Sequence, residues 1–409
     1  SLPIPAGEQP SPENYHDPEL MKLQDRDLVE AGWKVINGAL ETFSLSPKLF
    51  SLAGGEEKLR DLGLILGGDV TLLQERVAVG SSNLSQVRTD ESTLIMAFVT
   101  AMIEGKESKG SGWTTATHLE GFPGKAGEEA AENAIRSIDG RRIEGGEYRV
   151  IFGRQPIADL FNNLVLPSLS LDNFYAATST FLGNLGQQVV SEKLTIYDHG
   201  YLQGFMGSKG ITCEGLPTGK TELIRSGVLV GLLSNYYEMQ RILNDPQARE
   251  KLGVDPQQNK SALTPRNGFR FARGGGRNFD VQPGIFPTNI VVEGTEELSL
   301  EDLLKEVGEG IYIGRIWYTY PVNGLRVGDF TCTVIGDSYL IRDGKLEAPL
   351  KPNTVRINDN VHKVLNNVIG LSRDRKETLV WAADEVVYTP EIAVEGVRLD
   401  AIASFMEEL

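Results

Sequence analysis

Histidine and cysteine are the first side chains to consider, because protein zinc sites draw most of their ligands from them. The chain has four histidines and two cysteines: His16, His118, His199, His362, Cys213 and Cys332. A catalytic zinc site takes three protein ligands, two of them commonly from one short helical motif such as HExxH. No histidine here has a second histidine or a cysteine within six positions. The sequence therefore predicts that this chain holds no catalytic metal of its own.

Cys213 could serve as a thiol nucleophile, and the alternative is a cysteine buried for packing. A catalytic thiol needs a base such as histidine beside it, and no histidine lies near Cys213 in the sequence. Cys332 alternates with Phe330 and Val334 in a strand pattern, which fits burial still better. We interpret both cysteines as packed side chains, and an independent cysteine hydrolase stays as a minor alternative.

The segment 214–221 (EGLPTGKT) has the composition of a phosphate-binding loop but not its spacing. The GxxxxGK[ST] motif needs four residues between its glycines so that the amides can curl round a phosphate. Gly215 and Gly219 leave three, and one of them is Pro217, which lacks an N–H. We interpret this segment as a loop that leads into a strand at Glu222.

A basic segment interrupts the acidic chain between residues 266 and 277. It contains Arg266, Arg270, Arg273 and Arg277, with glycines at 274, 275 and 276. Arginine side chains bind a peptide C-terminus or an acidic side chain through paired hydrogen bonds, and glycines let a backbone approach closely. The alternative is a mobile loop whose arginines offset the negative field of the chain. From the residues alone, both interpretations stay open.

The composition limits the partners that these residues could meet. A formal net charge of -16 makes the surface repel nucleic-acid phosphates and anionic membranes. The longest apolar stretch, residues 94–103, is half of the ~20 residues that a membrane-spanning helix needs. Two distant cysteines suit a reducing compartment, and no secretory signal opens the chain. We expect a cytoplasmic protein that binds neither nucleic acid nor membrane.

We predict two domains, an N-terminal α+β domain of residues 1–145 and a larger one of residues 146–409. After a proline-rich lead-in (residues 1–18), an amphipathic helix (19–43) and a second helix (128–138) cover an antiparallel meander (70–118). The chain opens at Ser1 without an initiator methionine. The first domain is therefore expected to lack an N-terminal piece, such as its first strands.

The second domain is predicted to be β-rich, barrel-like and mostly antiparallel. Its strand patterns cover residues 148–152, 188–197, 222–234, 311–320, 330–346 and 378–397. Ser226-Gly227 and Asp343-Gly344 each separate two β-rich runs in the manner of a tight hairpin turn. Short helices are predicted after Ser299, a cap-like residue, and over residues 359–369. The predicted fold class is α+β.

The order of several segments in the chain resembles the TldD/TldE (PmbA) family, also called modulators of DNA gyrase. These segments are residues 150–153, 185–190, 194–198, 213–218, 224–233, 264–267, 310–312, 338–345 and 349–351. No single one is decisive, but their order and spacing run through most of the chain. The resemblance implies a two-domain α+β fold and a link to zinc metallopeptidases that degrade or process unfolded peptides.

In this family the TldD-type subunit binds zinc through a helix with the motif HExxxH and a cysteine near the C-terminus. Counted from the strand at Val150, the motif falls near Asn162, Asn163 and Pro167. Asparagine amides are poor zinc ligands, and proline cannot ligate and would break a helix there. The stretch 380–384 (VWAAD) contains no cysteine. The chain therefore resembles the TldE/PmbA subunit, which lacks the zinc motif.

The resemblance implies a metal-free, non-catalytic subunit of a peptide-processing complex. A TldD-like partner in a heterodimer would supply the zinc, so no cofactor is expected in this chain. The alternative is a stand-alone peptide-binding or scaffold homodimer without a protease partner. A family-like position and carboxylate-binding chemistry favour Arg266 and Asn267 for peptide contact, with Arg270 and Arg273 as weaker candidates.

Overall fold

The computed structural model describes residues 15–119, 122, 124–202, 204–380 and 383–403. Most of the proline-rich lead-in expected at the start, residues 1–14, lies outside the described residues. So do Trp381 and Ala382, which belong to the stretch without cysteine.

Helices cover one face of a three-stranded antiparallel sheet in the N-terminal part of the described chain. The elements are α1 (Asp25–Ser44), α2 (Pro47–Ala53), β1 (Leu64–Val79), β2 (Arg88–Ile103), β3 (Ser108–Ala116) and α3 (Lys125–Arg136). The predicted meander is confirmed, although β1 begins before residue 70. The two predicted helices are also confirmed, but residues 19–24 contain only a 3-10 turn, Leu20–Lys22.

Close contact between α1, α3 and the sheet forms the N-terminal core. Four small or apolar residues spaced by four along α1 are buried, namely Ala31, Val35, Ala39 and Phe43. A Cβ atom at Gly127 of α3 would lie 1.9 Å from the Val35 carbonyl oxygen, and one at Gly112 of β3 would lie 2.2 Å from the Ala126 oxygen. Only glycine permits α3 to lie so near both of its neighbours.

The C-terminal part of the described chain is richer in strands. Its strands are β4 (Gly146–Phe152), β5 (Leu194–His199), β6 (Lys220–Arg225), β7 (Val228–Leu229), β8 (Gly268–Phe269), β9 (Gly284–Ile285), β10 (Asn289–Gly294), β11 (Glu297–Leu298), β12 (Gly310–Ile313), β13 (Arg315–Pro321), β14 (Asp329–Gly336), β15 (Tyr339–Arg342), β16 (Lys345–Pro349), β17 (Val355–Asn360), β18 (Val368–Ser372), β19 (Lys376–Thr378), β20 (Val386–Thr389) and β21 (Ile392–Ala401). Its helices are α4 (Arg154–Leu160), a π turn (Phe161–Val165), α5 (Leu166–Ser168), α6 (Leu171–Tyr175), α7 (Tyr236–Leu243), α8 (Ala248–Leu252), α9 (Leu300–Val307) and α10 (Val361–Asn366).

Two large sheets organise these strands. One follows the order β13-β14-β17-β21-β4-β12-β15-β16, with β11 and β18 attached through β21, and it curls into a half barrel. The other follows the order β19-β20-β10-β5-β6-β7. Most neighbours are antiparallel, and the parallel pairs are β4 with β12, β10 with β20, and β11 with β18. The predicted α+β class with a mostly antiparallel, barrel-like second part is confirmed.

Several predicted element ends are wrong. The strand expected over residues 188–197 begins only at Leu194, because residues before it form turns around a single bridge between Gln188 and Val228. The helix expected over residues 359–369 is limited to α10, because β17 and β18 take the residues on either side. Both predicted hairpin turns are confirmed. The two central residues of each turn, at positions 226–227 and 343–344, have positive φ.

The buried apolar side chains fall into separate clusters. One contains residues between Leu20 and Ile138, and the largest contains residues between Val150 and Leu399. The boundary at residues 145 and 146 stays a prediction. Among the described residues, no helix combines the length and the apolar character that crossing a membrane requires.

Candidate functional site

The face of the N-terminal sheet that points away from its helices lies against the C-terminal part of the chain. Side chains alternate across a strand, so Val70, Ile95 and Ala97 pack under the helices, whereas Thr71 and Met96 point to the opposite side. Polar contacts join this opposite face to the C-terminal part, and two groups of them lie on either side of a cavity. We call this region the interdomain cleft.

Arg277 forms the first of these polar contacts and is the buried arginine of the basic segment. Its Nη1 lies 2.6 Å from Asp90 Oδ2 and its Nε lies 3.2 Å from Glu75 Oε2. Its Nη2 donates to Ser92 Oγ at 3.1 Å. The side chain is only 6% exposed, so these hydrogen bonds form out of water. Arg277 thus binds the N-terminal sheet rather than a ligand.

Further groups complete this buried ionic cluster. The Lys209 ammonium lies 3.4 Å from Glu75 Oε2, and Asp90 accepts hydrogen bonds from Tyr15 Oη at 2.8 Å and from the Gly210 amide at 2.9 Å. Burial alone would raise the pKa of Glu75, but the charges of Lys209 and Arg277 outweigh it and lower this pKa to about 2. Glu75 is therefore ionised at neutral pH.

The glycine turn before Arg277 holds a carboxylate of the chain itself. The amides of Gly274 and Gly276 donate to the two Asp384 carboxylate oxygens at 3.1 Å and 2.9 Å. Both glycines have positive φ, and a Cβ atom at Gly276 would lie 2.6 Å from Glu75 Oε1. The glycines permit the close approach expected from the sequence, but the anion that they bind is Asp384.

The second polar contact lies at the other end of the cleft. Asp337 accepts hydrogen bonds from the Ser111 amide at 3.2 Å and from its hydroxyl at 2.5 Å. Arg315 donates to Thr100 Oγ1 at 3.0 Å and lies over the Phe98 ring, 4.8 Å from its centroid. Burial raises the pKa of Asp337 to about 6. These contacts fix β2 and β3 to the half barrel.

A cavity of about 270 Å³ lies between the two contacts, and we call it the cleft cavity. Two adjacent rungs of the N-terminal sheet form its floor: Asp69, Phe98 and Trp113 on one, Thr71, Met96 and Thr115 on the other. Leu379 and the turn at Arg273 and Gly274 form the wall from the C-terminal part. Arg273 is exposed and has no ion-pair partner in the part of the chain that the structure describes.

Arg270 borders a second cavity, of about 510 Å³, on the other side of the same loop. Its Nη1 donates to the carbonyl oxygens of Val281 at 2.7 Å and Phe279 at 3.2 Å, which leaves the guanidinium beside the cavity. Cys213 lines this cavity too. Burial, aided by the charge of Glu214, raises the pKa of the Cys213 thiol to about 11, so the thiol is protonated at neutral pH and weakly nucleophilic.

Arg266 and Asn267 lie away from the cleft cavity. Arg266 is half-buried and donates to the Lys220 carbonyl oxygen. Asn267 is fully buried, and its amide nitrogen donates to Asp198 Oδ2 at 2.7 Å and to the Phe286 oxygen at 3.1 Å. The structure therefore places Arg270 and Arg273 beside cavities, whereas the Asn267 side chain binds Asp198 of β5 and the backbone that follows β9.

Asn162, Asn163 and Pro167, near which the zinc motif was predicted to fall, lie on a continuous helical segment. The π turn joins α4 to α5, and the Leu166 amide donates to the Phe161 carbonyl oxygen five residues back. The expectation that Pro167 breaks the helix is wrong. The wider π turn precedes the proline and accommodates a residue without a backbone N–H, so the helix continues through α5. Asn162 and Pro167 are five positions apart across this wider turn, and both are half-buried.

This set of donors does not fit zinc. The Asn163 amide nitrogen donates to the Asp159 carbonyl oxygen at 2.9 Å and to its carboxylate at 3.2 Å. Burial raises the pKa of Asp159 to about 6. Among the described residues, no group of three histidine, cysteine or acidic side chains has the arrangement of a metal site.

Reasoning from sequence missed the buried carboxylates near Asn267. Asp198 accepts hydrogen bonds from the Thr288 amide at 2.6 Å and from its hydroxyl at 2.9 Å, and burial raises the Asp198 pKa to about 6. Burial also raises the pKa of the nearby Glu385 to about 7. The alternation of side chains along β5 could have identified Asp198 as buried, because Leu194, Ile196 and Asp198 all point to the buried side of that strand.

The family of PmbA/TldA metallopeptidase C-terminal domains matches residues 145–401. A metalloprotease of Synechocystis sp. is 27% identical over 275 residues, which are 66% of this chain and 51% of that protein. Metalloprotease PmbA of Escherichia coli O157:H7 is 22% identical over 274 residues, 67% of this chain and 51% of that protein. The chain thus spans about half the length of these curated relatives.

Solved structures share the fold across nearly the whole chain. TldE from Thermococcus kodakarensis superimposes with a TM-score of 0.71 at 22% identity and covers 98% of this chain and 79% of its own. A Thermotoga maritima protein named as a modulator of a DNA gyrase has a TM-score of 0.73 at 20% identity, covering 97% and 79%. At such identities the likeness establishes the fold.

Proposed function

Since the chain belongs to the PmbA/TldD metallopeptidase family, we propose that it is the metal-free, non-catalytic subunit of a zinc metallopeptidase complex that processes unfolded peptides. The observation that supports the proposal is that Asn162, Asn163 and Pro167 are the residues near which the family's zinc motif falls when it is counted from the strand at Val150. None of the three offers the imidazole or carboxylate that the site requires.

The partner in this proposal is a TldD-like chain that carries HExxxH and the zinc. Catalysis occurs in the partner, and this chain contributes part of the surface that the peptide meets. Arg270 and Arg273, which border cavities on either side of one loop, support a peptide-binding role. Arg266 stays a candidate because it is half-buried, whereas the buried Asn267 would act by positioning the strand next to it.

Elemental analysis tests the first half of the proposal. The purified chain, loaded with excess zinc and then passed through a desalting column, is expected to retain far less than one zinc per chain. It is also expected to leave an unstructured peptide intact. Stoichiometric zinc in the isolated chain, or cleavage that a chelator abolishes, would overturn the non-catalytic assignment.

Co-purification from the native source tests the second half. We expect recovery of a second chain that contains HExxxH, and cleavage of an unstructured peptide by the assembled pair that a chelator abolishes. Recovery of a homodimer alone would favour the scaffold alternative. Cleavage by the isolated chain that iodoacetamide blocks and chelators do not would instead favour a hydrolase based on Cys213.

Substitution of Arg266 tests its contact with the peptide in the assembled pair. Arg266→Ala is expected to lower kcat/KM for peptide cleavage several-fold, because a charge-assisted hydrogen bond to the peptide is lost. Arg225→Ala is the matched control, since Arg225 is an exposed arginine that pairs only with the neighbouring Glu222 in the described structure. Equal kinetics in the two variants would remove Arg266 from the peptide-binding surface.

A further inference from the structure

We propose that the cleft cavity binds the C-terminal residue of a peptide, with an apolar side chain inside the cavity and the terminal carboxylate on Arg273. This inference rests on the proposed peptide-handling function and names the part of the peptide that this chain would hold. It depends on the size, the lining and the charged edge of the cavity.

The size and lining of the cavity suit one large apolar side chain. An engineered cavity of about 150 Å³ is enough to bind benzene, so a cavity of about 270 Å³ has room for an aromatic or leucine side chain. Phe98, Trp113, Met96 and Leu379 supply most of its apolar surface. Methionine adapts its shape to different apolar partners, which suits a site that accepts more than one side chain.

The aromatic walls are fixed from outside the cavity. The Trp113 Nε1 donates to the Glu377 carbonyl oxygen at 3.0 Å, and the Lys376 ammonium lies over its ring, 4.1 Å from the centroid. The Arg315 guanidinium lies over the Phe98 ring, 4.8 Å from its centroid. Because these rings are held before a ligand arrives, little conformational freedom is lost on binding.

Arg273 supplies an available cation at the edge of the cavity. The other charged side chain of the lining, Asp69, is also exposed and is without an ion-pair partner among the described residues. The adjacent Gly274 is tied to Asp384, which fixes the backbone that carries Arg273. A guanidinium binds a carboxylate through paired hydrogen bonds, and Asp69 can accept a hydrogen bond from a peptide amide.

The test measures binding of three peptides to the isolated full chain by fluorescence polarisation. The peptides are unstructured, carry an N-terminal dye and differ only at the end: phenylalanine acid, serine acid and phenylalanine amide. Burial of the ring and pairing of the carboxylate are each expected to contribute roughly tenfold or more. The phenylalanine acid should therefore bind at least tenfold more tightly than either of the other two peptides.

Two variants separate the two contacts. Thr71→Phe fills the cavity from its floor and should abolish the preference for phenylalanine over serine. Ile65→Phe places the same bulk on the same face of β1 outside the cleft cavity and should keep that preference. Arg273→Ala, at an exposed position, should abolish the preference for the acid over the amide and keep that for phenylalanine.

Equal binding of the three peptides, or no binding of any, would overturn the inference. So would an acid preference that persists in Arg273→Ala, a result that remains decisive even if Thr71→Phe fails to fold. Because the assay measures binding to the chain alone, its failure is distinct from that of the proposed function. The proposed function would instead be contradicted by stoichiometric zinc in the isolated chain, by cleavage by the isolated chain, or by the absence of a catalytic partner.

Discussion

At the scale of single residues, the four arginines of the basic segment differ in burial and in binding partners, although they look alike in the sequence. Arg277 is buried against two carboxylates, Arg270 holds backbone carbonyls and Arg273 stays exposed. Spacing along a chain cannot separate these cases, because the partners Glu75 and Asp90 come from strands almost two hundred positions away. Burial and partner decide which arginine stabilises the protein and which is available to a ligand.

Replacing Arg277 should therefore be costly. Arg277→Met leaves Glu75 and Asp90 buried with fewer partners, and it is expected to lower the free energy of unfolding by about 3–5 kcal/mol. Arg273→Ala, in the same loop but exposed, should change it by about 0.5 kcal/mol or less. Urea denaturation measures both. Similar values for the two variants would show that the buried pairs contribute little.

The buried carboxylates predict how stability depends on pH. Burial raises the folded-state pKa of Glu385 to about 7, above its usual value near 4.5, so the folded protein binds more protons than the unfolded chain between these values. The stabilisation is full below pH 4.5 and is lost as pH rises through about 7. Glu385→Gln should therefore reduce the loss of stability between pH 5 and pH 8 by about 1–3 kcal/mol.

Denaturation at a series of pH values measures this effect. Glu128→Gln, at an exposed position on α3, is the control and should leave the pH dependence unchanged. The contribution of Glu75 to stability depends on pH in the opposite direction. Its pKa in the folded state is lowered to about 2, so it stabilises the folded protein above pH 4.5, and this stabilisation is lost as pH falls toward 2. A Glu385→Gln variant with the wild-type slope would contradict a raised pKa for that carboxyl group.

At the scale of elements, tight turns set the register of the half barrel. Asp343 and Gly344 both have positive φ in the hairpin between β15 and β16, which is the conformation of a type I′ turn. A Cβ atom at Gly344 would also lie 2.8 Å from Lys305 Cα of α9. The turn therefore needs glycine for both its backbone conformation and its contact with the helix.

Gly344→Ala should lower the free energy of unfolding by about 1–3 kcal/mol, because the added methyl group meets strained backbone and a close neighbour. Gly32→Ala is the matched control: Gly32 lies within α1 with open space around its Cβ position, and alanine favours helix. That variant should gain up to about 1 kcal/mol. Thermal unfolding compares the two, and a loss in both would contradict the role assigned to the turn.

At the scale of the whole molecule, polar contacts join the N-terminal sheet to the C-terminal part of the chain, and two groups of them lie on either side of the cleft cavity. Arg277 belongs to one group, and Ser111 with Asp337 forms the other. The apolar clusters of the two parts are separate, so polar contacts such as these contribute to the coupling between them. Weakening both contacts should let the N-terminal part open before the rest.

The double variant Arg277→Met with Ser111→Ala is expected to show two thermal transitions by calorimetry, where the wild type shows one. Ser44→Ala combined with Arg273→Ala changes the same residue types at exposed positions and should keep a single transition. One transition in the first double variant would show that the Arg277 and Ser111 contacts are not needed to couple the two parts. The result also tests the predicted boundary at residues 145 and 146.

The sequence alone was enough for the features that depend on local patterns. Residue alternation and turn chemistry identified the meander and both hairpins, and the periodicity of α1 identified its buried face. The sequence alone was not enough where contacts between distant segments determine the structure. The cleft cavity needs Thr71 and Trp113 beside Leu379, and the helix near Pro167 continues because a π turn precedes it. Neither fact follows from nearby residues.

For protein engineering, the π turn before Pro167 is a backbone already shaped for a pair of side chains. A π turn brings residues five apart closer to one face than an α-helical turn does, so Asn162→His together with Pro167→His would place two imidazoles on neighbouring turns of this segment. The change at position 167 would also supply the amide that proline withholds from the hydrogen-bond ladder. Titration of that variant with cobalt, followed by visible absorption, would measure how much of a metal site depends on two side chains alone.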